Sequence, residues 1–183
     1  MLLLYYVSFM FIWQRRFLEG YNTVIGKTVY ITDITIDTKN WDKLYLTMRH
    51  EFIHMLQDDK YGLLFKVAYL FPQLVGIFSI LALLAIWFSN FWLLSLVALA
   101  ALAPWPAPFR AKWELEGYTQ SLLAMHEGGE VLGEHHLEWV VKQFVTAKYY
   151  FMRWGRASIE ADVRSIIGRI KTGQLSGMFL HYK

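Results

Sequence analysis

The residues best suited to chemistry in this 183-residue chain are His50, Glu51 and His54, which form an H-E-x-x-H pattern. The segment around them, from Trp41 to Asp59, has the apolar spacing of a helix. Residues four apart lie one above the other on a helix, so both imidazoles project from one face and can share a metal ion. The pattern therefore predicts a metal-binding helix.

Zinc is the metal that this arrangement suits. Two imidazoles supply half of a tetrahedral shell, and a third protein ligand leaves the fourth position for water. Zinc lowers the pKa of that water from 15.7 to about 7, and a neighbouring carboxylate can take the proton as attack begins. Glu51 is the predicted general base. The chain has no cysteine, so the third ligand must be a histidine or a carboxylate.

The metal helix has two different sides. Its apolar stripe consists of Leu44, Met48, Phe52 and Met55. Its polar side carries Thr47, His50, Glu51, His54, Gln57 and Asp58. This pattern predicts that the apolar side packs while the ligands face a cleft. Asn40 is the expected N-cap, and Gly62 the expected stop.

The composition is more apolar than that of an ordinary soluble domain. Hydrophobic residues make up 56% of the chain and charged residues 18%. The formal charge of +3 is spread along the sequence without a basic run, which argues against nucleic acid as a partner. The length fits one domain.

Two elements are expected before the metal helix. The apolar run from Met1 to Trp13 predicts a helix continuing to Gly20, with a membrane-surface anchor as the alternative. From Thr23 to Ile36, β-branched and aromatic residues predict one or two short strands with a turn at Gly26. The stretch Tyr30 to Ile36 is either an edge that pairs with an extended substrate or a structural hairpin.

The excess of apolar residues lies in one region. No charged residue occurs from Val67 to Phe109, and Ser89-Asn90 divides this region into two helical halves. The first half, Val67–Phe88, has the length of a membrane span, with Pro72 and Gln73 near its start as residues that can shorten the helix. The second half, Phe91–Ala103, reaches only about 20 Å, against roughly 30 Å of hydrocarbon.

The flanks of this region are positively charged. Lys60 and Lys66 precede it, and Arg110 and Lys112 follow it. This charge distribution favours a hairpin that enters a membrane from the cytoplasmic side and leaves the metal helix in the cytoplasm. The alternative is a hairpin buried in a protein assembly.

Two candidate third ligands, Glu114 and Glu116, follow in a helix that begins at Arg110. Positions two apart on a helix point about 200° apart, so only one of them can face the metal. The residues alone leave the choice open.

The order of H-E-x-x-H, apolar hairpin and E-x-x-small resembles the gluzincin peptidases over residues 41–122. The similarity is greatest to the membrane-embedded zinc endopeptidases that process prenylated proteins and to their bacterial heat-shock relatives. Their later motif reads E-x-x-A-D, and its glutamate binds zinc. The resemblance implies Glu114 as the ligand, with Gly117 at the small position and Tyr118 in place of the aspartate. Either Tyr118 hydrogen-bonds the site differently, or the chain belongs to a more distant branch.

The remaining residues are expected to form a loop and two helices. His126–Glu130 and Gly133–His136 describe an exposed loop, with a second metal as the alternative. Helices are predicted over Leu137–Trp154 and from a cap at Ser158 to Ile170. The tyrosine pair Tyr149-Tyr150 is either core packing or a source of transition-state donors.

The sequence thus predicts a mainly α (α+β) zincin-like domain over residues 1–183, with a small β-hairpin or sheet before the active-site helix and an apolar hairpin inserted at 67–109. The expected function is that of a membrane-associated zinc metallopeptidase acting on peptides or proteins. His50, His54 and Glu114 bind zinc, Glu51 is the base, and Tyr118 or Arg110 orients the site. The alternative is a non-catalytic membrane or assembly protein with a structural or vestigial zinc site.

Overall fold

A computed structural model describes residues 11–14, 23–25, 28–31, 41–71, 73–103, 105–146, 152 and 155–176. The described chain is mainly helical, as the sequence predicts. It divides into two compact units. One unit consists of Met1–Gly62, Leu115–Leu132 and Gly168–Lys183, and the other of Leu63–Glu114 and Gly133–Ile167.

A three-stranded sheet precedes the metal helix. Its strands are β1 (Phe11–Gln14), β2 (Thr23–Ile25) and β3 (Thr28–Ile31), in the order β1-β3-β2. Strand β3 runs antiparallel to β2, with Val24 opposite Val29, and parallel to β1. Val29 is fully buried. The predicted strands on either side of Gly26 are therefore present.

Where the structure describes this region, it contradicts the helical prediction and, of the two alternatives for Tyr30 to Ile36, the substrate edge; the antiparallel pairing of β2 with β3 fits the hairpin alternative. Phe11–Gln14 is a strand rather than part of a helix, because an apolar run satisfies either structure and here it pairs with β3. Tyr30 and Ile31 lie in the central strand, with neighbours on both sides, so they form no edge for a substrate. The rest of these predictions, and the predicted cap at Asn40, depend on residues 1–10, 15–20 and 32–40. These ranges lie outside the described residues.

Helix α1 (Trp41–Tyr61) carries the H-E-x-x-H pattern and ends where predicted. Gly62 has a φ of +53°, a left-handed conformation that glycine adopts without a Cβ penalty. Its N–H donates to the carbonyl of Asp58 at 2.7 Å, which satisfies one of the last free carbonyls of the helix.

The burial of α1 differs in part from the prediction, because both of its sides contain buried residues. Phe52 is buried on the apolar side, where Leu44, Met48 and Met55 are half-buried, and Glu51, His54 and Gln57 are buried on the polar side. Buried polar groups need hydrogen-bond partners. Arg49, 2% exposed, donates to the Gln120 side chain at 3.2 Å and to the Glu127 carboxylate.

Helix α3 (Pro108–Glu127) supplies these partners. It is continuous, and the division into units falls within it, between Glu114 and Leu115. Its second half contributes Leu122 and Leu123 to the apolar core of the first unit. Both candidate glutamates therefore lie on one helix.

The apolar region is a broken helical hairpin. Helix α2 (Leu63–Leu70) is followed by two 3₁₀ segments, Gln73–Ile86 and Asn90–Leu102, which pack against each other. Ser89 caps the second segment by accepting from the Phe91 N–H at 3.3 Å. The predicted division at Ser89-Asn90 is therefore confirmed.

The first half of the hairpin is not the single helix predicted over Val67–Phe88. The axes of α2 and the first 3₁₀ segment differ by 83°. Pro72 stands in the sequence at this break, and a proline disfavours the helical conformation of the residue before it. Among the described residues, no single helix is long and apolar enough to cross a membrane. This bent pair passes the same test of length and composition.

Two further helices follow, of which the second passes from the second unit into the first at Gly168. Helix α4 (Glu134–Val145) begins inside the predicted loop and ends before the predicted Trp154, because Thr146 is extended with φ −103° and ψ 155°. Tyr149 and Tyr150 lie outside the described residues. Helix α5 (Arg156–Lys171) begins before Ser158, which is therefore not its cap.

Candidate metal centre

The two histidines of α1 meet at their Nε2 atoms. The Nε2 atoms of His50 and His54 are 3.3 Å apart, and the ring planes are inclined by 73°. Two nitrogens bound tetrahedrally to one zinc at 2.0–2.1 Å would lie about 3.3–3.4 Å from each other. A hydrogen bond from one imidazole to the other has a similar length, so the remaining ligands decide between the two interpretations.

A carboxylate completes the group. The ligand atoms of His50, His54 and Glu114 all lie within 4.8 Å of one another. Glu114 is 4% exposed, and a carboxylate so deeply buried requires a cation or hydrogen-bond donors. Two imidazoles and one carboxylate are donor types that zinc sites with three protein ligands use, so this group could hold a metal ion.

Gln57 sets the proton on His54. Its side-chain nitrogen donates to the Glu116 carboxylate at 2.9 Å, so its oxygen faces the His54 Nδ1 atom at 2.8 Å. An amide oxygen can only accept, which places the His54 proton on Nδ1. The Nε2 lone pair of His54 is thereby left to a metal, the arrangement in which a second residue orients a histidine ligand.

The same contact gives Glu116 a different role from Glu114. The carboxylate of Glu116 accepts from Gln57, which in turn holds His54. Glu114, two residues earlier on α3, is the glutamate in the ligand group. Of the two alternatives that the residues leave open, the structure thus brings Glu114 to the histidines.

Gly117 allows α3 to approach His50. A Cβ atom placed on Gly117 would lie 2.8–3.0 Å from three atoms of the His50 ring, closer than a side chain tolerates. Tyr118 packs its ring against the same imidazole, with centroids 4.6 Å apart and planes inclined by 71°. Gly117 and Tyr118 lie one helical turn after Glu114 and hold the His50 ring in place.

Glu51, the predicted base, is 8% exposed on α1. It follows His50 directly and precedes His54 by three positions. The structure therefore places all five residues predicted for the site, His50, Glu51, His54, Glu114 and Tyr118, on two helices. Arg110, the other predicted orienting residue, instead donates to the carbonyl of Tyr69 at 2.8 Å.

A second group that can approach a metal is formed by Glu130, His135 and His136. It is less suited to a cation, because the His136 Nδ1 atom accepts from the Gly133 N–H at 3.1 Å. The proton of a neutral His136 then lies on Nε2, which removes that lone pair. This hydrogen bond caps the start of α4, which is a structural role.

Two residues near the ligands are absent from the prediction. Gln57 lies three positions after His54, a helical spacing that brings their side chains together, so the sequence contained a usable signal. Tyr69, whose hydroxyl donates to the Glu114 carboxylate, is 45 positions away in sequence. Nothing in the spacing links Tyr69 to Glu114, and only the tertiary structure finds it.

Comparison of the chain with models of protein families, with curated proteins and with solved structures found no match.

Replacing Gln57 with leucine should weaken zinc binding by about 10–100-fold, the usual effect of removing the residue that orients a histidine ligand. Leucine has a similar volume but leaves the His54 Nδ1–H without the Gln57 acceptor. Competition with a chromophoric zinc chelator measures the change. Gln143→Leu, which removes an exposed glutamine hydrogen bond on α4, is the matched control and should bind zinc normally. An unchanged affinity in Gln57→Leu would contradict the assigned tautomer.

Proposed function

We propose that this chain is a zinc-dependent metallopeptidase that hydrolyses peptide bonds in peptide or protein substrates. The observation that carries the proposal is the convergence of His50, His54 and Glu114, with the Nε2 atoms of the histidines 3.3 Å apart. The donor set fits zinc, because it combines two imidazoles with one carboxylate and, among the described residues, leaves a coordination position open.

The open position is what favours catalysis over a structural metal. Structural zinc sites are closed by four protein ligands, most often with thiolates, and this chain has no cysteine. Zinc held by three ligands polarises a substrate carbonyl and makes water acidic enough to attack at neutral pH. The chemistry that this metal supplies is therefore hydrolysis.

The residues around the ligands have separate tasks in this proposal. Glu51 accepts the proton of the attacking water and passes it to the leaving amine. Gln57 and Glu116 keep His54 in the tautomer that can bind the metal. Tyr118 and Gly117 fix the position of the His50 ring. Glu51, His54, Gln57, Glu114 and Tyr118 are each less than 9% exposed, which limits their freedom to move away.

Removal of zinc tests the proposal. Purified protein should contain one zinc per chain and cleave members of a peptide library. A chelator should abolish cleavage, and one equivalent of zinc should restore it. A His50→Ala variant, which lacks one ligand, should stay inactive after zinc is returned. A folded wild-type protein that holds one zinc and cleaves no peptide would support the non-catalytic alternative instead.

We also propose that the apolar hairpin contacts a membrane and that the metal centre lies on the cytoplasmic side. Large apolar side chains along the two 3₁₀ segments are exposed, among them Phe78, Ile86 and Val97. Exposed apolar surface of this extent marks contact with lipid or another protein. Lys66 and Lys112, both exposed, lie in sequence on either side of the hairpin, where they suit anionic headgroups.

Fractionation of cells distinguishes lipid from a protein assembly. The protein should stay with the membrane in alkaline carbonate and be released by detergent. Aspartate at both Phe78 and Val97 should move it to the soluble fraction, whereas aspartate at Ala161, which is exposed on α5, should not. Release of the wild-type protein by carbonate alone would contradict membrane contact.

A further inference from the structure

Tyr69, which lies outside α1 and α3, hydrogen-bonds a member of the ligand group through its side chain. It lies in the last turn of α2, and its hydroxyl donates to the Oε1 atom of Glu114. An ionised carboxylate has only acceptors, so the phenol is the donor. One of the two oxygens of Glu114 is thus occupied by the protein itself.

Arg110 fixes Tyr69 from the other side. Its Nε atom donates to the Tyr69 carbonyl at 2.8 Å, and its guanidinium carbon lies 5.0 Å from the centroid of the Tyr69 ring. Its Nη2 atom donates to the Gln73 side chain at 3.0 Å, just before the first 3₁₀ segment. Arg110 is 8% exposed and stands one helical turn before Glu114.

The Tyr69 ring is held as well as its hydroxyl and backbone. Its centroid lies 5.5 Å from that of Phe65, one turn earlier on α2, and Phe65 packs in turn against Trp113. Trp113 is the immediate neighbour of Glu114 in sequence. Ring, carbonyl and hydroxyl of Tyr69 are each fixed, which is more restraint than a buried hydrogen bond alone requires.

We propose that Tyr69 is the positioning residue for the ligand Glu114, an inference that rests on the proposed zinc site. The Tyr69 hydroxyl donates to Oε1 and thereby fixes the orientation of the carboxylate that faces the histidines. Arg110 keeps Tyr69 in this place at the root of the apolar hairpin.

The test is Tyr69→Phe, which removes one hydroxyl and keeps the ring beside Arg110 and Phe65. Zinc affinity should fall about 10–100-fold. The visible absorption of the Co²⁺-substituted protein should change in intensity and position, because the hydrogen bond that orients the Glu114 ligand is lost. Tyr61→Phe, which alters an exposed tyrosine at the end of α1, is the control and should match the wild type in both measurements.

The outcomes separate this inference from the metal site itself. If the wild type binds one Co²⁺ and Tyr69→Phe has the same affinity and spectrum, Tyr69 only stabilises the fold and the inference is wrong. A lower resistance to urea with an unchanged cobalt spectrum leads to the same conclusion. If the wild type binds neither Co²⁺ nor Zn²⁺, the proposed zinc site fails, and the role of Tyr69 fails with it.

Discussion

Glu51→Gln should retain one zinc per chain and lose peptide hydrolysis by about 10²–10⁴-fold, the contribution of a positioned general base. Glutamine has nearly the volume of glutamate, so it fits the buried position of Glu51 on α1. It cannot accept the proton of the attacking water. The measurement is the rate of cleavage of a fluorogenic peptide, together with the zinc content of the same sample.

Asp59→Asn provides the control for this loss. Asp59 is an exposed carboxylate on the same helix, and its removal changes the charge by the same amount. Its rate should equal that of the wild type. Full activity in Glu51→Gln would exclude Glu51 as the base.

Gly117→Ala should weaken zinc binding by more than the roughly 10–100-fold that residues supporting a ligand contribute. The added Cβ would stand 2.8–3.0 Å from the His50 ring, which must swing away from the metal position. Alanine favours a helix over glycine by about 1 kcal/mol, so the fold itself gains local stability. Loss of zinc with retention of the fold therefore identifies a displaced ligand.

Gly168→Ala is the matched variant. Gly168 lies within α5, and a Cβ atom there meets nothing within 4 Å. We expect normal zinc binding and a gain of about 0.5–1 kcal/mol in the free energy of unfolding. Calorimetric titration with zinc and unfolding in urea measure both variants. Wild-type zinc affinity in Gly117→Ala would mean that His50 does not bind the metal as the structure places it.

The sequence predicts the histidine pair well because its geometry is local. Once residues 41–61 form a helix, the spacing of His50 and His54 determines that their side chains share one face. Gly62 is predictable for the same reason, since a left-handed residue ends the helix there. Such features depend on neighbours within one or two turns.

Features that depend on tertiary contacts cannot be predicted from residue spacing within one or two helical turns. The spacing alone cannot choose between Glu114 and Glu116, because the choice depends on which side of α3 meets the histidines. The burial of the polar side of α1 depends on partners such as Gln120, which sequence patterns assign to no particular neighbour. Strand β1 is predicted as a helix for a similar reason, since only pairing with β3 selects the extended form.

The apolar hairpin has some features that local sequence predicts and others that only tertiary contacts determine. A chain segment without charges is visible in the sequence, and so is its division at Ser89-Asn90, where Ser89 caps the second 3₁₀ segment. The sharp bend between α2 and the first 3₁₀ segment is less visible, although Pro72 marks its position. The position of Tyr69, held by Arg110 next to Glu114, follows from that bend and from the return of the chain into α3.

Anomalous diffraction at the zinc absorption edge, from crystals of the protein as purified, tests the central claim most directly. The account predicts one strong peak, about 2.0–2.2 Å from the Nε2 atoms of His50 and His54 and from one oxygen of Glu114. Glu114 should still accept the hydrogen bond from the Tyr69 hydroxyl. A peak at Glu130, His135 and His136 instead, or imidazoles of His50 and His54 that point away from each other with no metal between them, would contradict the account.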